Sequence, residues 1–133
     1  MGHRVSHLTV LPDRFAVYQL AAADPVPPWA GGAFVSVTRT VDELSVVCAE
    51  GLAPAGTTCQ PGWRIFQVEG PLDFSLTGIL AAIASPLAAA GVSIFALSTF
   101  DTDYVMVQEV KLETAVDALL AAGHRVTVEG MPC

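Results

Sequence analysis

The sequence predicts an α+β fold in two parts: a C-terminal half in which strands and two helices alternate, and an N-terminal half that is almost all strand. Three observations carry this. Apolar residues recur at three- and four-residue steps from Leu76 to Leu87 and from Leu112 to Leu120, the spacing of helices with one buried face. Short β-branched or aromatic runs flank both segments. The chain has 133 residues, 53% apolar and 14% charged, a globular balance at a length that buries roughly two-thirds of the surface the unfolded chain exposes.

Taken in order, Ser6 to Leu11 reads as a strand, followed after the Pro12-Asp13 turn by Phe15 to Leu20. Phe34 to Thr40 and Leu44 to Ala49 are the next two strands. Between them and the second strand, the Pro-rich piece Pro25-Val26-Pro27-Pro28-Trp29 leaves room for one short helix at most. Gly51 to Gly62, with Pro54, Gly56 and Pro61, reads as a linker. The C-terminal half begins with a strand from Trp63 to Glu69, ended by the breaker pair Gly70-Pro71. A helix is expected from Asp73 onward, with Leu76, Ile79, Leu80, Ile83 and Leu87 on one face, Gly91 closing it and Pro86 kinking or interrupting it. Val92 to Ser98 is a strand, Thr99 to Asp103 a polar stretch, and Tyr104 to Glu109 a further strand. A second helix carries Leu112, Val116, Leu119 and Leu120 and closes at Gly123. The last strand is Arg125 to Val128.

This half therefore runs βαββαβ, the order of a ferredoxin-like sandwich with antiparallel strands and both helices on one face. The domain reading is a reduced N-terminal module over residues 1–60 and a complete module over 61–133, with exchange of a strand between them left open.

Six Lys and Arg against 13 Asp and Glu give a net charge of −7, which repels phosphate backbones and anionic membranes, so neither nucleic acid nor membrane is expected as a partner. The most apolar stretch, Leu76 to Val92, is shorter than a bilayer span and carries Ser85-Pro86 in its middle. Cys48, Cys59 and Cys133 share no metal-ligand spacing, so no disulfide framework, metal or cofactor is expected, and a cytoplasmic location with reduced thiols follows. His3, His7 and His124 sit in no nucleophile motif. No catalytic residues are assigned and the chain is read as a non-enzyme.

Two features carry binding chemistry. A helix opening at Asp73-Phe74-Ser75 offers free backbone N–H groups suited to a carboxylate. The carboxylates of Asp101 and Asp103 suit an ammonium or guanidinium. One pole for each end of a zwitterion is what an amino-acid site requires. The same residues also have a structural reading, in which Asp73 or Ser75 caps a helix and Asp101 shapes a turn. Spacing alone favours the structural reading.

Resemblance shifts that balance. The βαββαβ order, the loop Glu69-Gly70-Pro71-Leu72-Asp73-Phe74-Ser75 and the segment from Ile94 to Val105, Ile-Phe-Ala-Leu-Ser-Thr-Phe-Asp-Thr-Asp-Tyr-Val, resemble an ACT domain. The subgroup it is similar to comprises small bacterial tandem ACT proteins, related to aspartate kinase regulatory modules and to the CASTOR arginine sensors. Phe15-Ala16-Val17-Tyr18, Phe34 to Thr38 and Glu43 to Cys48 are similar to the first module of that subgroup. The resemblance implies a regulatory module that binds a small effector, an amino acid, at an interface between modules. It implies Thr99, Phe100, Asp101 and Asp103 as ligand-facing, with Asp103 holding a positive group, and Gly70, Leu72, Asp73, Phe74 and Ser75 as the loop that meets the α-carboxylate. It further implies a homodimer, since ACT modules complete their sheets or helix layers against one another, and an unidentified protein partner as the target of regulation. The alternative is a ligand-free structural or dimerisation module acting through protein partners.

Overall fold

The computed structural model describes residues 5–70 and 78–128. In chain order its elements are β1 (His7–Val10), β2 (Phe15–Leu20), β3 (Ser36–Arg39), β4 (Leu44–Ala49), β5 (Cys59–Val68), α1 (Ile79–Ala89), β6 (Phe95–Ser98), β7 (Asp103–Gln108), α2 (Leu112–Ala121) and β8 (Arg125–Val128). The fold is the α+β arrangement the sequence predicts. The chain divides into two compact units, Asp13–Trp63 on the one hand and Met1–Pro12 with Arg64–Cys133 on the other. The division falls inside β5, and β1 groups with the C-terminal half.

The unit Asp13–Trp63 is an antiparallel sheet in the order β3-β4-β2-β5. The pairs Ala16↔Cys48, Tyr18↔Val46 and Leu20↔Leu44 put alternate residues on one face. No helix forms among the described residues of this unit. The Pro-rich piece makes turns, and from it Trp29 packs its ring edge-on to Tyr18, with centroids 5.0 Å apart. Trp29, Ala30 and Ala53 thus cover the buried residues Ala16, Tyr18, Leu44, Val46 and Cys48. The expected linker ends early, because β5 already begins at Cys59. It does so through an irregularity opposite Phe15 and Val17, where Pro61 and Gly62 stand in the strand.

In the other unit the strand order is β6-β7-β5-β1-β8. The expected βαββαβ succession is present as β5, α1, β6, β7, α2 and β8, with β1 inserted between β5 and β8. β1 runs antiparallel to β5, pairing Leu8↔Val68 and Val10↔Phe66, and parallel to β8, pairing Leu8↔Val126 and Val10↔Val128. The parallel β1–β8 pair thus stands beside the antiparallel pairs β1–β5 and β6–β7. Leu8, Val10, Phe66, Val68, Val105 and Val107 point to the face packed by Ile83, Leu87, Ala115 and Leu119 of the two helices.

Helix α1 starts later than its apolar spacing predicts. Gly78, with φ of +79°, precedes Ile79 in the left-handed conformation and cannot extend the helix backwards. At the other end Gly91 (φ +77°) closes it, with the Val92 amide donating to Leu87 O at 2.9 Å. The helix runs through Pro86 without interruption. Proline removes the donor for the carbonyl four residues earlier, here that of Ala82. His124 fills the vacancy, its Nε2 lying 2.9 Å from Ala82 O.

Candidate functional site

Strands β6 and β7 form a hairpin whose last pair is Ser98↔Asp103. Its turn is closed by the Thr99 amide donating to Thr102 O at 2.8 Å, with the Thr99 hydroxyl a second donor at 3.2 Å. The Thr102 amide donates back to Thr99 Oγ1 at 3.4 Å. Asp103 is half-buried, and its Oδ1 accepts from the Ser98 hydroxyl at 2.6 Å, which fixes the carboxylate across the hairpin. Phe100 at the tip is 81% exposed, and Asp101 beside it is exposed as well.

Thr102 anchors this tip. It is buried, and its hydroxyl donates to the Val68 carbonyl at the end of β5 at 2.6 Å. Two residues on, Gly70 lies so close to the turn that a Cβ there would stand 3.0 Å from both Asp101 O and Thr102 Cβ. The glycine is required by close approach, and the approach sets the loop that leaves β5 against the Asp101–Thr102 turn. Of the residues singled out in the sequence, Gly70, Thr99, Phe100, Asp101 and Asp103 are thereby gathered at one end of this unit. Leu72, Asp73, Phe74 and Ser75 lie outside the described residues. Thr102 was not singled out; its only signal is its place in the Ser-Thr-Phe-Asp-Thr-Asp run.

Gly70 also borders a pocket of about 310 Å³ lined by His7, Thr9, Gln67 and Glu69. Here the His7 ring spans two strands, with Nδ1 3.1 Å from Glu69 Oε1 and Nε2 2.8 Å from Thr127 Oγ1. A carboxylate can only accept, so Nδ1 donates to Glu69, and Nε2 and the Thr127 hydroxyl form the second bond. His124, just beyond the end of α2, is 4% exposed, and its Nδ1 accepts the Ser6 amide at 3.0 Å. Among the described residues no group of three or more His, Cys, Asp or Glu is placed to hold a metal ion. No helix of these residues is long and apolar enough to cross a membrane. The hairpin offers the Asp103 carboxylate, held by Ser98, and an exposed carboxylate and aromatic ring at Asp101 and Phe100, groups whose chemistry suits a cation.

Comparison with known proteins matches residues 58–121 to the ACT domain, and residues 13–55 to an N-terminal domain family. Over 58 residues the chain is 43% identical to the rat "Cytosolic arginine sensor for mTORC1 subunit 1", a match covering 43% of this chain and 18% of the sensor. A solved structure of an Agrobacterium tumefaciens protein is 40% identical, with a TM-score of 0.91 and 98% of each chain covered. The ligand-free regulatory subunit of aspartate kinase from Thermus thermophilus shares the fold at 14% identity, with a TM-score of 0.59 over 84% of this chain and 93% of the subunit.

Proposed function

The chain belongs to the ACT-domain family, and we propose on that footing that it is a non-catalytic regulatory module whose effector, an amino acid, binds at an interface between ACT modules. The effector contacts Thr99, Phe100, Asp101 and Asp103 on the hairpin and the loop of Gly70, Leu72, Asp73, Phe74 and Ser75. A second copy of the chain completes the interface, and the module acts on a protein partner in the cytoplasm. One observation supports this above the others: Gly70 packs against Asp101 and Thr102 with no room for a side chain, so Gly70 and the Asp101–Asp103 segment share one end of the unit. Asp103, oriented by Ser98, takes the positive group. The similarity to a protein named as an arginine sensor makes arginine and lysine the first ligands to try.

Thermal-shift measurements across the proteinogenic amino acids test this. A ligand at a hundred times its dissociation constant stabilises by about 2.7 kcal/mol. The expected result is a shift with a cationic amino acid that is lost in Asp103→Asn. A folded sample indifferent to every amino acid would overturn the reading.

A second reading has its own support. Ser98, Thr99, Thr102 and Asp103 already satisfy one another within the hairpin, as they would in a ligand-free dimerisation module. That module would form a dimer whose assembly is the same with or without amino acids and unaltered by Asp103→Asn.

A further inference from the structure

The inserted strand β1 is tied to helix α1 by one buried histidine. Because the Ser6 amide is a donor, Nδ1 of His124 accepts it, at 3.0 Å, and the ring proton sits on Nε2, which donates to Ala82 O at 2.9 Å. Ala82 O is the carbonyl that Pro86 deprives of its helical donor. The Ser6 carbonyl in turn accepts the Arg125 amide at 3.0 Å. On the other side of β1, the His7 carbonyl accepts the Glu69 amide at 2.8 Å.

We infer that the entry to β1, Val5 to His7, is a strap that opens and closes within the folded protein, and that His124 is the residue that closes it. Removing the imidazole deprives two backbone groups on different elements of a partner at once. An unsatisfied buried group costs on the order of 1–3 kcal/mol, so the structure relieves it by moving whichever group reaches water more easily. Helix α1 is held by Ile83 and Leu87 and the body of β1 by Leu8 and Val10, all 0% exposed, whereas Val5, next to Ser6, is 61% exposed. The strap therefore yields and the helix stays. With it goes the His7 bond to the Glu69 amide, so opening also frees the end of β5 that leads into Gly70. Opening at a free energy below that of global unfolding is the behaviour of a local cooperative unit.

Hydrogen exchange resolved at single amides tests this on the full chain. In His124→Phe, which fills the space without either hydrogen bond, the amides of Ser6, Glu69 and Arg125 should exchange about tenfold faster or more. Those of Val92 and Ala122, bonded within the helix ends, should not change. His124→Asn keeps an acceptor near the Nδ1 position and should leave the strap slow. Adding Pro86→Ala to His124→Phe restores a helical donor to Ala82 and should leave the strap fast. Should His124→Phe not fold, Ser6→Pro removes the same amide from outside the core and should accelerate Glu69 and Arg125 alone. Uniform acceleration of all these amides, no acceleration, or rescue of the strap by Pro86→Ala would each overturn the inference. None of these readouts depends on an effector.

Discussion

The two units bury their strands by different means. In the C-terminal unit two helices lay Ile83, Leu87, Ala115 and Leu119 over the sheet, and this core is aliphatic apart from Phe66. In the unit Asp13–Trp63 a loop does the covering. A loop has no repeating face, so it supplies apolar area through a large ring, Trp29 on Tyr18, while Phe34 meets Phe15 edge-on at 5.9 Å. The difference extends to ionisation. Burial pushes the Cys48 thiol above its ordinary 9.0, and burial together with the nearby Cys48 pushes the Tyr18 hydroxyl above its ordinary 10.0. The buried cluster of the helix-free unit thus includes a thiol and a phenol, whereas the buried cluster under the helices contains no titratable side chain.

The sharpest way to break this comparison is to truncate one ring in each unit. Phe66→Ala, at a fully buried position under both helices, should lower the stability measured in urea by about 3–5 kcal/mol. Trp29→Ala, in a half-buried loop, should cost about 2 kcal/mol. The reverse order would show that the loop, not the helices, carries the larger share.

Gly70→Ala comes next, at about 1–3 kcal/mol, because the new methyl meets a backbone carbonyl at 3.0 Å that cannot swing aside. Thermal unfolding measures it, and hydrogen exchange should place the damage at Thr99 and Thr102 and not in β2 or β4.

The smallest effect is alkaline. A raised folded-state pKa contributes stability that is intact below the unfolded value and fades as pH rises above it. Between neutral pH and the ordinary thiol value no loss from these groups is expected. Beyond about pH 9, amide exchange in β2 and β4 should accelerate ahead of that in β7, and Cys48→Ala should reduce the alkaline loss.

Much of the fold is legible in the chain because its signals are local. Phe15–Leu20, Leu44–Ala49 and Arg125–Val128 occur within the limits their β-branched and aromatic runs indicate, and α2 starts at Leu112 as its periodicity requires. What is not legible depends on distant partners. Pro86 should disturb its helix on local grounds, and it does not because a histidine 42 residues from Ala82 donates to the freed carbonyl. Ser6 to Leu11 reads as a strand, yet nothing in those residues names β5 and β8 as its neighbours. At the candidate site the polar run from Thr99 to Asp103 is visible as composition. The burial of Thr102 and the packing of Gly70 against it are not, since both arise from the meeting of two segments about 30 residues apart in sequence.

The placement of β1 also fixes an order of events during synthesis. Ser6 bonds to His124 across 118 residues, and β1 is made before either of the strands it lies between. Its two neighbours are both made later, β5 first and β8 after it, so the pairing of β1 is complete only once β8 has emerged. Such non-local pairing slows folding. It also leaves one edge of an apolar strand without its partner for that interval, so the ladder on which β1 lies is closed by a strand made long after it.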